Sequence, residues 1–100
     1  MQFTSTISVS KKNLDCSQIA NILSKHGILS SITSNITTIP HIENGCNITQ
    51  SISNKTEIIN IWNILKDKYN LTCAHLKIND KYDGCILDFI KKSECKPFNK

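Results

Sequence analysis

The chain contains no arginine: all twelve of its basic side chains are lysine, set against eight acidic residues for a formal charge of +4. Without a guanidinium there is no planar fork to grip a phosphate or carboxylate through two parallel bonds, and functions that need one are excluded. Glycine and proline are scarce, three and two residues respectively, and Gly27, Gly45 and Gly84 stand far apart. No glycine-rich loop is available to cradle a phosphate. Nowhere do about 18 apolar residues follow one another, the length a membrane-crossing helix requires, so no membrane partner is expected. Cys16, Cys46, Cys73, Cys85 and Cys95 are odd in number, widely spaced and never arranged as C-x-x-C. That pattern predicts reduced thiols in or near a core, with no disulfide framework.

The opening "MQFTSTISVSKK" has neither a basic start nor a continuous apolar block. It reads as a cytosolic start, and a cytoplasmic protein is expected. Four glycosylation-type triplets begin at Asn35, Asn47, Asn54 and Asn70; without a secretory signal they read as chance products of a chain rich in Asn, Ile and Thr. All-lysine basicity beside abundant Ile and Asn resembles the coding bias of an A+T-rich genome, such as those of many large DNA viruses, some protists and low-GC bacteria.

What is present suits one domain. One hundred residues at 39% hydrophobic supply an adequate core. In residues 3–9, Phe3, Ser5, Ile7 and Val9 alternate with Thr4, Thr6 and Ser8, the period of a half-buried strand. Asp15 then caps a helix, with Gln18 placed to reach back, and Cys16, Ile19, Ala20 and Leu23 form an apolar stripe that Gly27 closes. Alternation resumes in residues 28–40, with Ile28, Ile32 and Ile36 facing inward, Ser31, Thr33, Asn35 and Thr37 facing outward, and Pro40 as a stop. Asn44-Gly45 reads as a hairpin turn. A third strand over 46–53 buries Cys46, Ile48 and Ile52 and exposes Asn47, Thr49 and Ser51.

Asn54 and Glu57 form a capping pair for the best-marked helix, whose stripe is Ile58, Ile61, Trp62, Leu65 and Tyr69. A fourth strand over 71–78 is predicted to bury Thr72, Ala74, Leu76 and Ile78 and to expose Cys73, His75 and Lys77. "NDKYDG" reads as a turn built in part by Asp80 and Asp83, "CILDFI" as a short last strand or a packed extension, and 91–100 as a loose basic tail after a domain of residues 1–90. "IANILSKHGILSS" and "IWNILKDKYNLTC" make a weak internal repeat. Two such βαβ units folded on each other predict an α+β, ferredoxin-like βαββαβ sandwich: an antiparallel sheet, two helices on one face, and an optional short fifth strand.

Chemistry is sparse on this frame. RNA-recognition motifs share the topology and stack bases on aromatics of the central strands, where this chain has Thr, Ser and Asn. Acylphosphatase-like enzymes share it and require arginine. Heavy-metal-binding domains share it and use two cysteines in the first loop, where Cys16 stands alone. Cys73 and His75, two apart on a strand, share a face without an assignable third group; His26 and His41 have no company. No catalytic residue, metal ligand or cofactor site is assigned. The expectation is a small interaction or assembly module that is not an enzyme. It is expected to self-associate or bind a protein partner through the sheet face carrying Thr33, Asn35, Thr49, Ser51, Cys73, His75 and Lys77. Small-ligand regulation and weak, lysine-mediated nucleic-acid binding are the alternatives.

Overall fold

The computed structural model describes residues 3–12, 14–35 and 44–92. Five strands and three helices follow in the order β1 (Phe3–Lys11), α1 (Cys16–Lys25), β2 (Ser31–Asn35), β3 (Asn44–Ile52), α2 (Lys55–Tyr69), β4 (His75–Ile78), β5 (Tyr82–Cys85) and α3 (Ile86–Lys92). The strands form one antiparallel sheet ordered β2-β3-β1-β4-β5. The molecule is therefore α+β. Helix α1 carries the chain from β1 past β3 to β2, and α2 carries it from β3 past β1 to β4, so β1 is the central strand, with β3 and β4 on its two sides.

Period-2 alternation decides which side of the sheet is covered. Phe3, Ser5, Ile7 and Val9 of β1 are buried, as are Cys46, Ile48, Gln50 and Ile52 of β3 and Leu76 and Ile78 of β4. All of these but Ser5 and Gln50 join Ile19 and Leu23 of α1, Ile58, Ile61, Trp62 and Leu65 of α2, and Ile86 and Phe89 of α3 in one apolar cluster. Trp62 is 2% exposed. At roughly 1.5–3 kcal/mol for each large apolar side chain removed from water, this cluster is the main source of stability.

The helix ends are held by local chemistry. Asp15 accepts from the amide and the hydroxyl of Ser17 at the start of α1. The Ser17 hydroxyl, then its amide, hold the Asp15 carboxyl below the usual range. At the other end Gly27 takes φ 78°, its amide donating to the Ser24 carbonyl while that of Ile28 donates to Leu23. This paired reversal turns Ile28 back against the core. Helix α2 opens with the reciprocal Asn54–Glu57 box and closes at Asn70 in the left-handed region. The Lys11 ammonium donates to the Tyr69 carbonyl there and lies 3.4 Å from that of Asn70.

Several expectations need correction. Cys16 and Cys46 are joined by a disulfide. The start of α1 lies over β3, and a separation of 30 residues hides this in the sequence. The inference from reduced thiols to a reducing compartment thereby loses its premise. Asn44 and Gly45 sit inside β3, opposite Lys11 and Ser10, so they make no turn. "CILDFI" is helical beyond Cys85, because Ile86, Phe89 and Ile90 meet the core at spacings of three and four. The fifth strand falls on the residues read as a turn, and Asp83 lies in it opposite Lys77. Thr72 is exposed, outside β4, and Leu71 is the buried residue instead. Pro40, His41, the inward placement of Ile36, the outward placement of Thr37, Cys95 and most of the basic tail lie outside the described residues. Among the described residues, no helix is long and apolar enough to cross a membrane.

Candidate functional site

The face turned away from the helices is built by the other half of each alternation. On β1 and β3 the pairs Thr4–Ser51, Thr6–Thr49 and Ser8–Asn47 stand opposite one another. The hydroxyls of Thr6 and Thr49 are 3.1 Å apart, and Ser8 Oγ donates to Asn47 Oδ1 at 2.6 Å. These ladders spend polar side chains on each other, as cross-strand neighbours on one face do. Thr33, on the edge strand β2, is exposed opposite Asn47, and Asn35 pairs with Gly45. Ser51 is exposed and Thr49 half-buried.

Cys73, His75 and Lys77 are exposed as well, but on the far side of β1. The seven residues expected on one face thus split into two groups: Thr33, Asn35, Thr49 and Ser51 on β2–β3, and Cys73, His75 and Lys77 before and along β4. Lys77 is opposite Asp83. None of the described aromatic side chains stands on this face: Phe3, Trp62 and Phe89 are buried, Tyr69 and Tyr82 pack against the core, and the Tyr82 and Phe89 rings meet at 5.0 Å. Base stacking has no platform here.

The second group has partners that the sequence did not disclose. Cys85 ends β5 opposite His75, and its Sγ lies 3.0 Å from that of Cys73. His75 Nε2 lies 2.5 Å from Asp83 Oδ1, both side chains being more than half exposed. Ser8, Ser10, Cys73, Ala74, His75 and Cys85 line a shallow depression of about 360 Å³. The signal that could have found this cluster is a hairpin at "NDK": folding the chain there brings residues 82–85 alongside 75–78. Among the described residues, no group of three or more His, Cys, Asp and Glu is arranged to hold a metal ion.

A larger groove of about 760 Å³ lies between the turn after α1, the end of β3 and α2, with Gln50 and Asn60 among its lining and Leu29 at its rim. Leu29 is 87% exposed, the most exposed large apolar side chain among those described. Gln50 is buried and donates through Nε2 to Ser5 Oγ at 2.5 Å, while its Oε1 has no partner among the described residues. An amide and a hydroxyl inside an otherwise apolar layer fix each other across β1 and β3, a role that the surrounding Ile pattern did not announce.

Three of the four glycosylation-type asparagines have places in the architecture. Asn47 accepts from Ser8, Asn54 caps α2 and Asn70 closes it. No family model, curated protein or solved structure matches this chain.

Proposed function

We propose that the chain is a ferredoxin-like interaction module that pairs with a second copy of itself along the outer side of β2. The order β2-β3-β1-β4, with a helix in each crossover, supports the ferredoxin-like reading, with β5 and α3 as an added margin. The observation that carries the interaction is the contrast between the two sheet edges. Strand β2, Ser-Ile-Thr-Ser-Asn, has five residues without a charge, a proline or a glycine. Its outer side faces no other strand among the described residues. Edges left in that condition template pairing, and proteins that avoid it place lysine, proline or a bulge there. The opposite edge, β5, is four residues long, carries Asp83 and runs directly into α3.

A second copy is the occupant that this chemistry fits. Antiparallel pairing about a two-fold axis sets β2 against itself, and an uncharged strand meets no like charge when it does so. Leu29, two residues before β2, supplies an exposed apolar anchor beside the groove. Thr33 and Asn35 lie in the contact and Thr49 and Ser51 one strand further in, whereas Cys73, His75 and Lys77 lie outside it.

The test is the mass of the purified chain by light scattering. A dimer is expected at about 100 μM, the range of a modest association, and Leu29→Lys and Thr33→Lys, which put like charges against each other across the axis, should each return a folded monomer. A monomeric unaltered chain at that concentration overturns the reading. So does a dimer that both variants leave intact.

A further inference from the structure

The two cysteine pairs differ in state and setting. Cys16–Cys46 is bridged, and Cys46 is 1% exposed beneath α1. Cys73 and Cys85 are unbridged, Cys73 being exposed and Cys85 half-buried, with sulfurs 3.0 Å apart. That is about 1 Å beyond a covalent S–S distance. The backbone fixes the approach: the Ile86 amide donates to the Ala74 carbonyl at 2.9 Å, locking the segments that carry the two thiols side by side, and the β4–β5 ladder continues from there.

We propose that Cys73 and Cys85 are a redox-active pair that exchanges with external disulfides at the surface of the open face, with Cys85 as the attacking sulfur and Cys73 as the resolving one. The roles follow from what surrounds each atom. The 3.0 Å contact with Cys73, in which either sulfur can donate, and then the backbone amides of Leu87 and Asp88 favour the Cys85 thiolate and hold Cys85 below its ordinary value. The same contact, and then burial, holds Cys73 above its ordinary value. Asp88 opposes the Cys85 thiolate through its charge, and the nearby His75 is engaged with Asp83.

The step balances with a disulfide, small or protein-borne, as the oxidant. The Cys85 thiolate forms a bond to one sulfur of that disulfide, and the other sulfur leaves as a thiolate with the electron pair of the broken bond. Cys73 then loses its proton to solvent and attacks Cys85 Sγ, expelling the second thiolate. The pair ends as a disulfide and the external disulfide as two thiols, which take up the two protons. Exposure permits this exchange at Cys73–Cys85, whereas a bridge with one sulfur sealed under a helix is shielded from thiolate attack.

The experiment uses the full chain in oxidised glutathione, quenched by alkylation and mapped by peptide mass. A Cys73–Cys85 bridge should form, and mild reduced glutathione should reopen it while Cys16–Cys46 stays closed. Cys73→Ser should trap a glutathione adduct on Cys85 faster than Cys85→Ser traps one on Cys73, because the Leu87 and Asp88 amides still favour the Cys85 thiolate when the partner sulfur is gone. Absence of the 73–85 bridge in the unaltered chain overturns the proposal. Equal adduct rates in the two variants, or faster capture at Cys73, overturn the assigned roles.

Discussion

Residues 19–31 and 61–73 are repeats whose helices meet one demand by different means. Ile19 matches Ile61 and Leu23 matches Leu65, and all four are buried. The position after the first isoleucine differs: Ala20 is half-buried, whereas Trp62 is sealed in the core. Helix α1 has ten residues and buries two; α2 has fifteen and buries four. A ten-residue helix is marginal in water unless tertiary contacts hold it. The short helix carries the disulfide, and the long one has a tryptophan and a full capping box. Beyond the helices the repeats part again, for Leu71 turns into the core while Leu29, at the matching position, stays 87% exposed beside the edge strand. A repeat in sequence is therefore not a repeat in energetics: one half is held by packing, the other by packing and a covalent tie.

The sharpest way to break this contrast is to remove the tryptophan. Trp62→Ala makes α2 resemble α1 without giving it a disulfide, and should destabilise the domain by about 3–5 kcal/mol in denaturant unfolding followed by far-UV circular dichroism. A loss below about 1 kcal/mol would mean that α2 does not depend on this side chain. Next comes the tie itself. Replacing Cys16 and Cys46 together by serine opens a loop of 30 residues' separation, for which chain entropy predicts a loss of about 3–4 kcal/mol, and, with Cys73 and Cys85 already reduced, the same change should abolish the effect of strong reductant on the unfolding midpoint. The smallest effect concerns the turn after α1. A Cβ at Gly27 meets no atom within 4 Å, so Gly27→Ala tests only the left-handed backbone at φ 78° and should cost about 1 kcal/mol. A stabilised variant would show that this turn does not hold the left-handed conformation in solution.

Legibility followed distance along the chain. The strand alternation of residues 3–9 and 46–53, the Asp15 and Asn54 caps, the Gly27 turn and the Trp62 stripe all depend on neighbours within a few residues, and all were readable. The hydroxyl and amide character of the open face was readable for the same reason. Asn44-Gly45 misled because a favourable turn pair is only a local preference, and pairing with Ser10 and Lys11 on β1 outweighed it. Strand β5 was missed because Tyr-Asp-Gly-Cys shows no clean alternation and takes its conformation from β4. Leu29 could not be told from a core leucine until its partners were in place.

By itself the amino-acid order determined the succession of the first four strands and first two helices, the apolar side of those strands and the absence of arginine chemistry, because side-chain period, capping and composition are local or global properties that need no partner. Only the tertiary structure decided that Cys16 meets Cys46, that Cys73 comes within 3.0 Å of Cys85 and that His75 finds Asp83. Each of those contacts joins residues from different elements, and the sheet register and helix placement that bring them together result from burying the whole apolar cluster at once.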